Sequence, residues 1–595
     1  MHTLTSMRVR ASRRAAPIAL LMLTAAMAPV LAQQMLGPVP VPPENPITAA
    51  KVALGKTLFW EEQLSLTGTV ACGTCHSPGA GHSDPRTALP GGNARHPGPD
   101  GVFGAGGDDI LASPGVSLHA GDGSYRSSPS FGVSPQVGGR KSPPVTSAAF
   151  SPSLFWDGRA NTTFRDPLSG AVLIASGGAL ESQSLGPLLD TSEMGNVGNT
   201  IGGVASRIAG KLPLSLAQDI PVDLAAWIRG RGYPDLFAEV FGTPEVTPAR
   251  MAFALASYER TLNATETRFD HELAGTPSLT PQERLGRQVF VNLQCDVCHA
   301  GALHTDNTFR NIGVRPDSED SGRFSQTGVA GHRGQFRTPS LRNVGARAPY
   351  MHNGGLATLE DVVDFYVRGG DFASPNKDPL MVPRSVSAEE RAALVAYMRD
   401  ALTDPRIVAE VAPFDRPTLF AESSRVPRLF GNGVGAVGKV PLLGAIEAAQ
   451  IDRRFTVSVS NARPGAAATL VLGRTDPGVR RVVPAGDIAN VAAFVQAGNS
   501  ASGGYASAQI DLSRYPSLVG RALFGRFYVA DPDAPNGLAV TRAFRADVFR
   551  SGSEFERESG RDSDRTSLPC LHSQAGTGPG DPDNLLLSGR CAARR

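Results

Sequence analysis

Cys72-Gly73-Thr74-Cys75-His76 and Cys295-Asp296-Val297-Cys298-His299 are two copies of one pattern, Cys-x-x-Cys-His. The spacing has a chemical meaning. Two thiols three residues apart can add across the two vinyl groups of a haem, and the adjoining His then swings under the ring as an axial iron ligand. With 6 Cys and 11 His in 595 residues, one chance match is expected about once per thousand such chains. Two zinc or redox Cys-x-x-Cys sites that happen to precede His are the bland alternative, and the repetition weakens it. The chain is therefore predicted to carry two covalently bound haem c groups. Cys72, Cys75, Cys295 and Cys298 attach them, and His76 and His299 bind the metal.

Composition narrows the setting. The chain has 57 basic and 55 acidic residues, a net charge of +2, so nothing points to nucleic acid as a partner. Gly (66) and Pro (47) are abundant, which predicts long loop-rich connections. At the N-terminus, Arg8, Arg10, Arg13 and Arg14 precede an apolar run, Ala15 to Ala28, too short to span a bilayer as a mature helix. Val30-Leu31-Ala32 reads as a cleavage site. Residues 1–32 read as a signal peptide and the mature protein as periplasmic or secreted, not membrane-spanning. The two remaining cysteines, Cys570 and Cys591, would be free to pair in such a compartment, although sequence does not establish their distance.

A helical pattern at Ala49 to Phe59 leads into the first motif. Thr280-Pro281-Gln282-Glu283 reads as an N-cap, a proline at the first helical position and an early acid, opening the helix that leads into Cys295. Residues 203–230 and 247–264 carry helical apolar spacing, as do Leu359 to Tyr366 and Ala388 to Leu402; Ser387-Ala388-Glu389-Glu390 is a capping box. Residues 77–140 are too long for a plain connector and read as a functional loop or an ordered wrap over the first haem. After about residue 415, short runs such as Phe455-Thr456-Val457-Ser458-Val459 alternate like strands between turns. The expected fold is mainly α: two cytochrome c-like haem domains, residues 33–262 and 263–412, followed by an all-β sandwich-like domain at 416–552 and a flexible tail at 553–595.

Further motifs carry a resemblance. They are Phe155-Trp156-Asp157-Gly158-Arg159-Ala160, Gln183-x-x-Gly186-Pro187 with Glu193-Met194-Gly195, Arg337-Thr338-Pro339-Ser340-Leu341-Arg342-Asn343, and Ala348-Pro349-Tyr350-Met351-His352-Asn353-Gly354. With the haem motifs, they make residues 50–403 resemble the bacterial di-haem cytochrome c peroxidases and, within that group, the MauG-like proteins.

The resemblance implies roles. His76 is the proximal ligand of a first, peroxide-reacting haem and His299 that of a second, electron-transferring haem. Trp156 relays electrons between the two. Glu193 is the distal acid that moves a proton during O–O cleavage, with Gln183 and Pro187 beside it. The other axial ligand of the second haem falls on Tyr366, where peroxidases carry Met and MauG-like proteins carry Tyr; Met351 and Met381 are its rivals. A hard phenolate favours oxidised iron, a thioether reduced iron. Peroxidases close the first haem with a His; here His82, His96 and His119 are the distant candidates, and an open distal face is preferred. The family's calcium positions read Lys141 and Arg347-Ala348-Pro349, so calcium is in doubt and an ammonium group is a substitute. Leu293 stands where MauG has the Trp that draws electrons from its protein substrate.

The implied activity is oxidoreduction. Hydrogen peroxide reacts at the first haem, oxidising equivalents are shared with the second through Trp156, and a small redox protein or organic donor refills both. A MauG-like oxidase or oxygenase acting on a side chain or organic compound is the alternative, and a non-enzymatic di-haem electron carrier a third reading. A homodimer is compatible with the sequence.

Overall fold

The computed structural model describes residues 36–550 except 90, 437 and 500–502. The signal peptide, the Cys570–Cys591 pairing and the tail predicted from sequence lie outside the described residues.

Two helix crossings repeat one design. Helix α1 (Ala49–Phe59) packs on α2 (Pro248–Glu259), and α3 (Pro281–Asn292) packs on α4 (Ala388–Ala396). At the first crossing a Cβ on Gly55 would lie 1.9 Å from the Ala254 carbonyl oxygen and 2.8 Å from Tyr258 Cβ. At the second, a Cβ on Gly286 would lie 2.0 Å from the Ala393 carbonyl oxygen and 2.8 Å from Tyr397 Cβ. Glycine is required because the backbones touch. In both halves the leading helix delivers the chain into Cys-x-x-Cys-His. The duplication in sequence is thus a duplication in packing.

Local signals set the helix starts. Thr280 Oγ1 accepts from the Glu283 amide, while Glu283 Oε2 accepts from the Thr280 amide at 2.8 Å, a reciprocal box that the sequence predicts. Ser387 and Glu390 do the same for α4. That helix runs on as a π-helical turn, Tyr397–Ala401. The predicted helix over 203–230 is two helices, Ile201–Ala209 and Val222–Ile228. Pro213 and Pro221 lie in the gap, and each removes an amide donor.

Among the described residues the three largest apolar cores follow the chain. The first gathers α1, α2 and the helices between them, and also takes in Ile407, Phe414 and Leu419 from the segment after the second half. The second surrounds Phe290, Leu394 and Tyr397. The third lies between two antiparallel sheets. Strands are β1 (Arg428–Phe430), β2 (Leu442–Gly444), β3 (Arg454–Ala462), β4 (Ala467–Gly473), β5 (Ala489–Phe494), β6 (Gly504–Asp511), β7 (Ala522–Ala530), β8 (Leu538–Val540) and β9 (Ala543–Asp547). One sheet has the order β2-β3-β6. The other runs β5-β4-β7-β9-β1, with β8 also on β7. Phe455, Val457 and Ile510 from the first sheet meet Leu470, Phe527 and Phe544 from the second. This is sandwich packing. Helix dominates residues 49–408 and strand the remainder, so "mainly α" describes the haem-motif half alone.

The sandwich rests on the first half. The Glu62 carboxylate accepts the Phe420 and Ala421 amides at 2.7 and 3.2 Å. Segment 77–140 is an ordered wrap bearing short strand pairs. Its Tyr125 amide donates to Ser507 Oγ at 2.9 Å, and Gln509 donates back to the Asp122 carbonyl at 2.9 Å. Among the described residues no helix is long and apolar enough to cross a membrane.

Candidate functional site

Cys72–Cys75 forms a single helical turn with His76 at its end. Gly73 lies against Trp60, where a Cβ would be 2.2 Å from the indole. His76 Nδ1 donates to the His82 carbonyl at 3.3 Å. In the second motif His299 Nδ1 donates to the His304 carbonyl at 3.1 Å. Each bond fixes the tautomer and leaves Nε2 available as a ligand. His82 and His304 are both buried, both in the left-handed region (φ 60° and 51°), and both held by a hydroxyl: Thr146 Oγ1 at 2.6 Å and Tyr397 OH at 2.8 Å. Burial pushes both imidazoles down to about 3, so they stay neutral. Sequence reasoning missed this pair of supports, although a His stands six residues after His76 and five after His299.

His82 is thereby placed on the His76 side, its carbonyl bonded to the His76 ring and its own ring to Thr146. His119 donates from Nδ1 to the Ser117 carbonyl at 2.7 Å, stacks near Tyr125 and faces Glu447 of the sandwich at 3.5 Å. His96 Nδ1 accepts the Gly98 amide at 3.1 Å.

The second motif opens on an apolar cavity of about 200 Å³, lined by Cys295, Cys298, His299, Leu359, Val363 and Leu394 among others. Two thiols and an imidazole at the wall of a large apolar space suit a covalently held porphyrin. Tyr366 lines it, from the helix Leu359–Val367, and so do Met351 and Met381. The cavity brings the three axial candidates together. Tyr366 is half-buried, and burial raises its hydroxyl well above its ordinary value.

Trp156 lines this same cavity. Its Nε1 donates to the Lys141 carbonyl at 2.8 Å. The next residue, Ser142, donates from Oγ to the Cys75 carbonyl at 3.1 Å. One dipeptide therefore holds the indole on one side and the first motif on the other. The Trp156 carbonyl accepts the Arg337 amide at 2.8 Å, and the indole meets His352 edge-on at 6.3 Å.

Gln183, Pro187 and Glu193 lie on one folded unit. Gln183 is in the helix Ala179–Ser184, whose Glu181 is locked by Arg260 at 2.7 Å, both fully buried. The Pro187 carbonyl accepts the Met194 amide at 3.2 Å, closing the turn that carries Glu193. Strand Pro114–Ser117 packs on that turn: Val116 donates to the Glu193 carbonyl at 3.0 Å, and a Cβ on Gly115 would lie 2.7 Å from Glu193 Cα. Burial, reinforced by Asp190 and opposed by Arg159, pushes the Glu193 carboxyl up to about 7. Its charge acts on Cys72 and Cys75, so it lies near the first motif. Arg159 lies 3.5 Å over the Phe155 ring. A carboxyl poised near neutrality beside a haem attachment site is suited to proton transfer.

At the positions where calcium is in doubt, Lys141 is buried and donates to Ser83 Oγ, and Arg347 is buried and donates to the Ser340 carbonyl at 2.6 Å.

Residues 49–278 match the family described as di-haem cytochrome c peroxidase. The methylamine utilization protein MauG of Methylorubrum extorquens is 30% identical over 374 residues, 62% of this chain and 83% of that protein. Cytochrome-c peroxidase IdrP1 of Denitromonas iodatirespirans is 30% identical over 409 residues, 62% of this chain and 87% of the other. Cytochrome c551 peroxidase of Nitrosomonas europaea is 25% identical over 394 residues, 65% and 89%. Set beside two haem-attachment motifs built alike, these relationships make the chain a member of the di-haem cytochrome c peroxidase family, an enzyme carrying two c-type haems.

Proposed function

We propose that the protein is a periplasmic peroxidase in which hydrogen peroxide is consumed at the first haem site and both haem sites share the oxidising power through Trp156. The overall reaction reduces one peroxide to two waters with two electrons and two protons from outside. The haems, when bound, supply the redox chemistry, with Cys72, Cys75 and His76 holding one and Cys295, Cys298 and His299 the other. Glu193 as a carboxylate takes a proton from the incoming peroxide and returns it to the leaving oxygen. Gln183 and Pro187 shape the space beside it. Trp156 is the conducting side chain, and the Lys141 carbonyl fixes its ring. Tyr366, in preference to Met351 and Met381, would hold the second haem together with His299, and an ammonium group, Lys141, would take the role of a calcium ion. The three domains are assigned to residues 33–262, 263–412 and 416–552.

The observation that carries this reading is the double attachment of Trp156: its ring lines the second cavity while its N–H is held by the dipeptide that binds Cys75. The test is steady-state turnover of the di-haem protein with hydrogen peroxide and a reduced small c-type cytochrome. Donor oxidation at two electrons per peroxide supports the reading. Absence of both peroxide loss and donor oxidation overturns it.

A second reading, MauG-like oxidation of a side chain or organic compound, is favoured by Tyr366, since a phenolate stabilises the oxidised metal. Leu293 at the end of α3 speaks against one route, because it offers no aromatic ring for drawing electrons from a docked protein. Substrate oxidation without a cytochrome donor would select this reading.

A further inference from the structure

Three cations are buried between the two motifs. Lys141, Arg337 and Arg347 are 4%, 7% and 7% exposed. Their partners are neutral. Lys141 donates to Ser83 Oγ. Arg337 Nη1 donates to Ser151 Oγ at 3.1 Å and Asn307 Oδ1 at 3.2 Å. Arg347 Nη2 donates to the Ser340 carbonyl at 2.6 Å. The Nε atoms of both arginines are buried with no hydrogen-bond partner among the described residues. The nearby carboxylate of Asp84 is already taken by Arg86, through both oxygens.

Such an arrangement opposes itself. Burial lowers all three, to about 8 for Lys141 and about 10 for each arginine; at Lys141 the Asp84 charge partly opposes this and Arg347 adds to it. A buried cation without an anion is strongly unfavourable, and three together more so. The fold keeps them close to the two attachment motifs. Arg337 lines the cavity with Cys295, Cys298 and His299. Arg347 stands between the motif loops: a Cβ on Gly81 would lie 2.7 Å from its Cγ, and its charge reaches both His82 and His299. The charge of Lys141 reaches His76.

We infer that Arg337, Arg347 and Lys141 form a carboxylate-binding cluster for the haem propionates, Arg337 serving the second haem, Lys141 the first and Arg347 both. Each c-type haem carries two propionate carboxylates, so the anions arrive with the cofactors. An arginine fork is matched to a carboxylate. Paired in this way, the propionates stay ionised and the cations stabilise the reduced, less positive haems. The inference rests on two haems per chain and not on peroxide turnover, so it stands or falls separately from the proposed reaction.

The test is spectroelectrochemistry of the di-haem protein between pH 5 and 9. In Arg337→Gln, one midpoint falls, by about tenfold in the reduction equilibrium constant, the equivalent of one unit in a coupled pKa. It also becomes pH-dependent near neutrality, because the released propionate now binds a proton. Arg337→Lys keeps the charge and most of the midpoint. Arg545→Gln, on the exposed sandwich surface, changes neither. Midpoints and pH profiles of Arg337→Gln equal to those of the parent overturn the proposal, as does an Arg337→Lys loss as large as that of Arg337→Gln. Should Arg337→Gln fail to accumulate with two haems, Arg347→Gln decides: a lowered, pH-dependent midpoint supports the cluster, and unchanged midpoints overturn it.

Discussion

Replacing Glu193 with Gln should pull stability and activity in opposite directions. Burial raises this carboxyl from 4.5 to about 7. The folded protein then binds the proton more tightly than the unfolded chain, so the full benefit is present below about pH 4.5. It is lost as pH rises through about 7. The difference corresponds to about 3 kcal/mol. Glu193→Gln has the shape without the charge. It should match the parent near pH 4 and exceed it above pH 7, by up to about 3 kcal/mol. Activity should move the other way. A missing proton shuttle costs about 10²- to 10⁴-fold in the peroxide reaction, and the parent's rise in rate through about pH 7 should vanish. Melting curves at pH 5 and 8 and stopped-flow peroxide consumption from pH 5 to 9 read both effects. A variant less stable than the parent at pH 8, or one that retains the rate step near pH 7, would refute the reasoning.

Tyr366→Met should raise the midpoint potential of one haem, since a thioether favours reduced iron; an unchanged potential excludes Tyr366 as ligand. Gly286→Ala puts a methyl 2.0 Å from the Ala393 carbonyl oxygen and should destabilise the protein by about 1–3 kcal/mol, and because Tyr397 at this crossing also holds His304, haem content per chain should fall with the melting temperature. A melting temperature equal to the parent's would show that the helices do not touch there. Glu259, buried with Oε2 lacking a partner, is pushed up to about 8 by burial and the charge of Glu181. Glu259→Gln should be more stable than the parent above pH 8 and indistinguishable below pH 4.5; equal melting curves at pH 9 would contradict this.

What was legible in the sequence was local. The Cys-x-x-Cys-His motifs and the Thr280–Glu283 and Ser387–Glu390 boxes involve residues at most four apart, so their chemistry is written in spacing. The helix predicted over 203–230 was split because its apolar period ran through Pro213 and Pro221, and periodicity alone does not weigh a missing amide. His82 and His304 were half legible: each follows its motif within six residues, but the bond that matters is accepted by their backbone carbonyls. The cluster of Lys141, Arg337 and Arg347 was not legible, because it assembles from segments about 200 residues apart. The strand order β5-β4-β7-β9-β1 was hidden for the same reason. Trp156 was named through a resemblance, while its anchor, the Lys141 carbonyl, has no side-chain signature.

The central claim is that Trp156 lets one peroxide oxidise both haem sites. The direct measurement adds a single equivalent of hydrogen peroxide to the oxidised di-haem protein and follows the absorption and electron paramagnetic resonance of both haems. Both signals should change together in the parent, and only one in Trp156→Phe, whose ring fills the space without the indole N–H. A response confined to one haem in the parent, or an undiminished two-haem response in Trp156→Phe, would contradict the account.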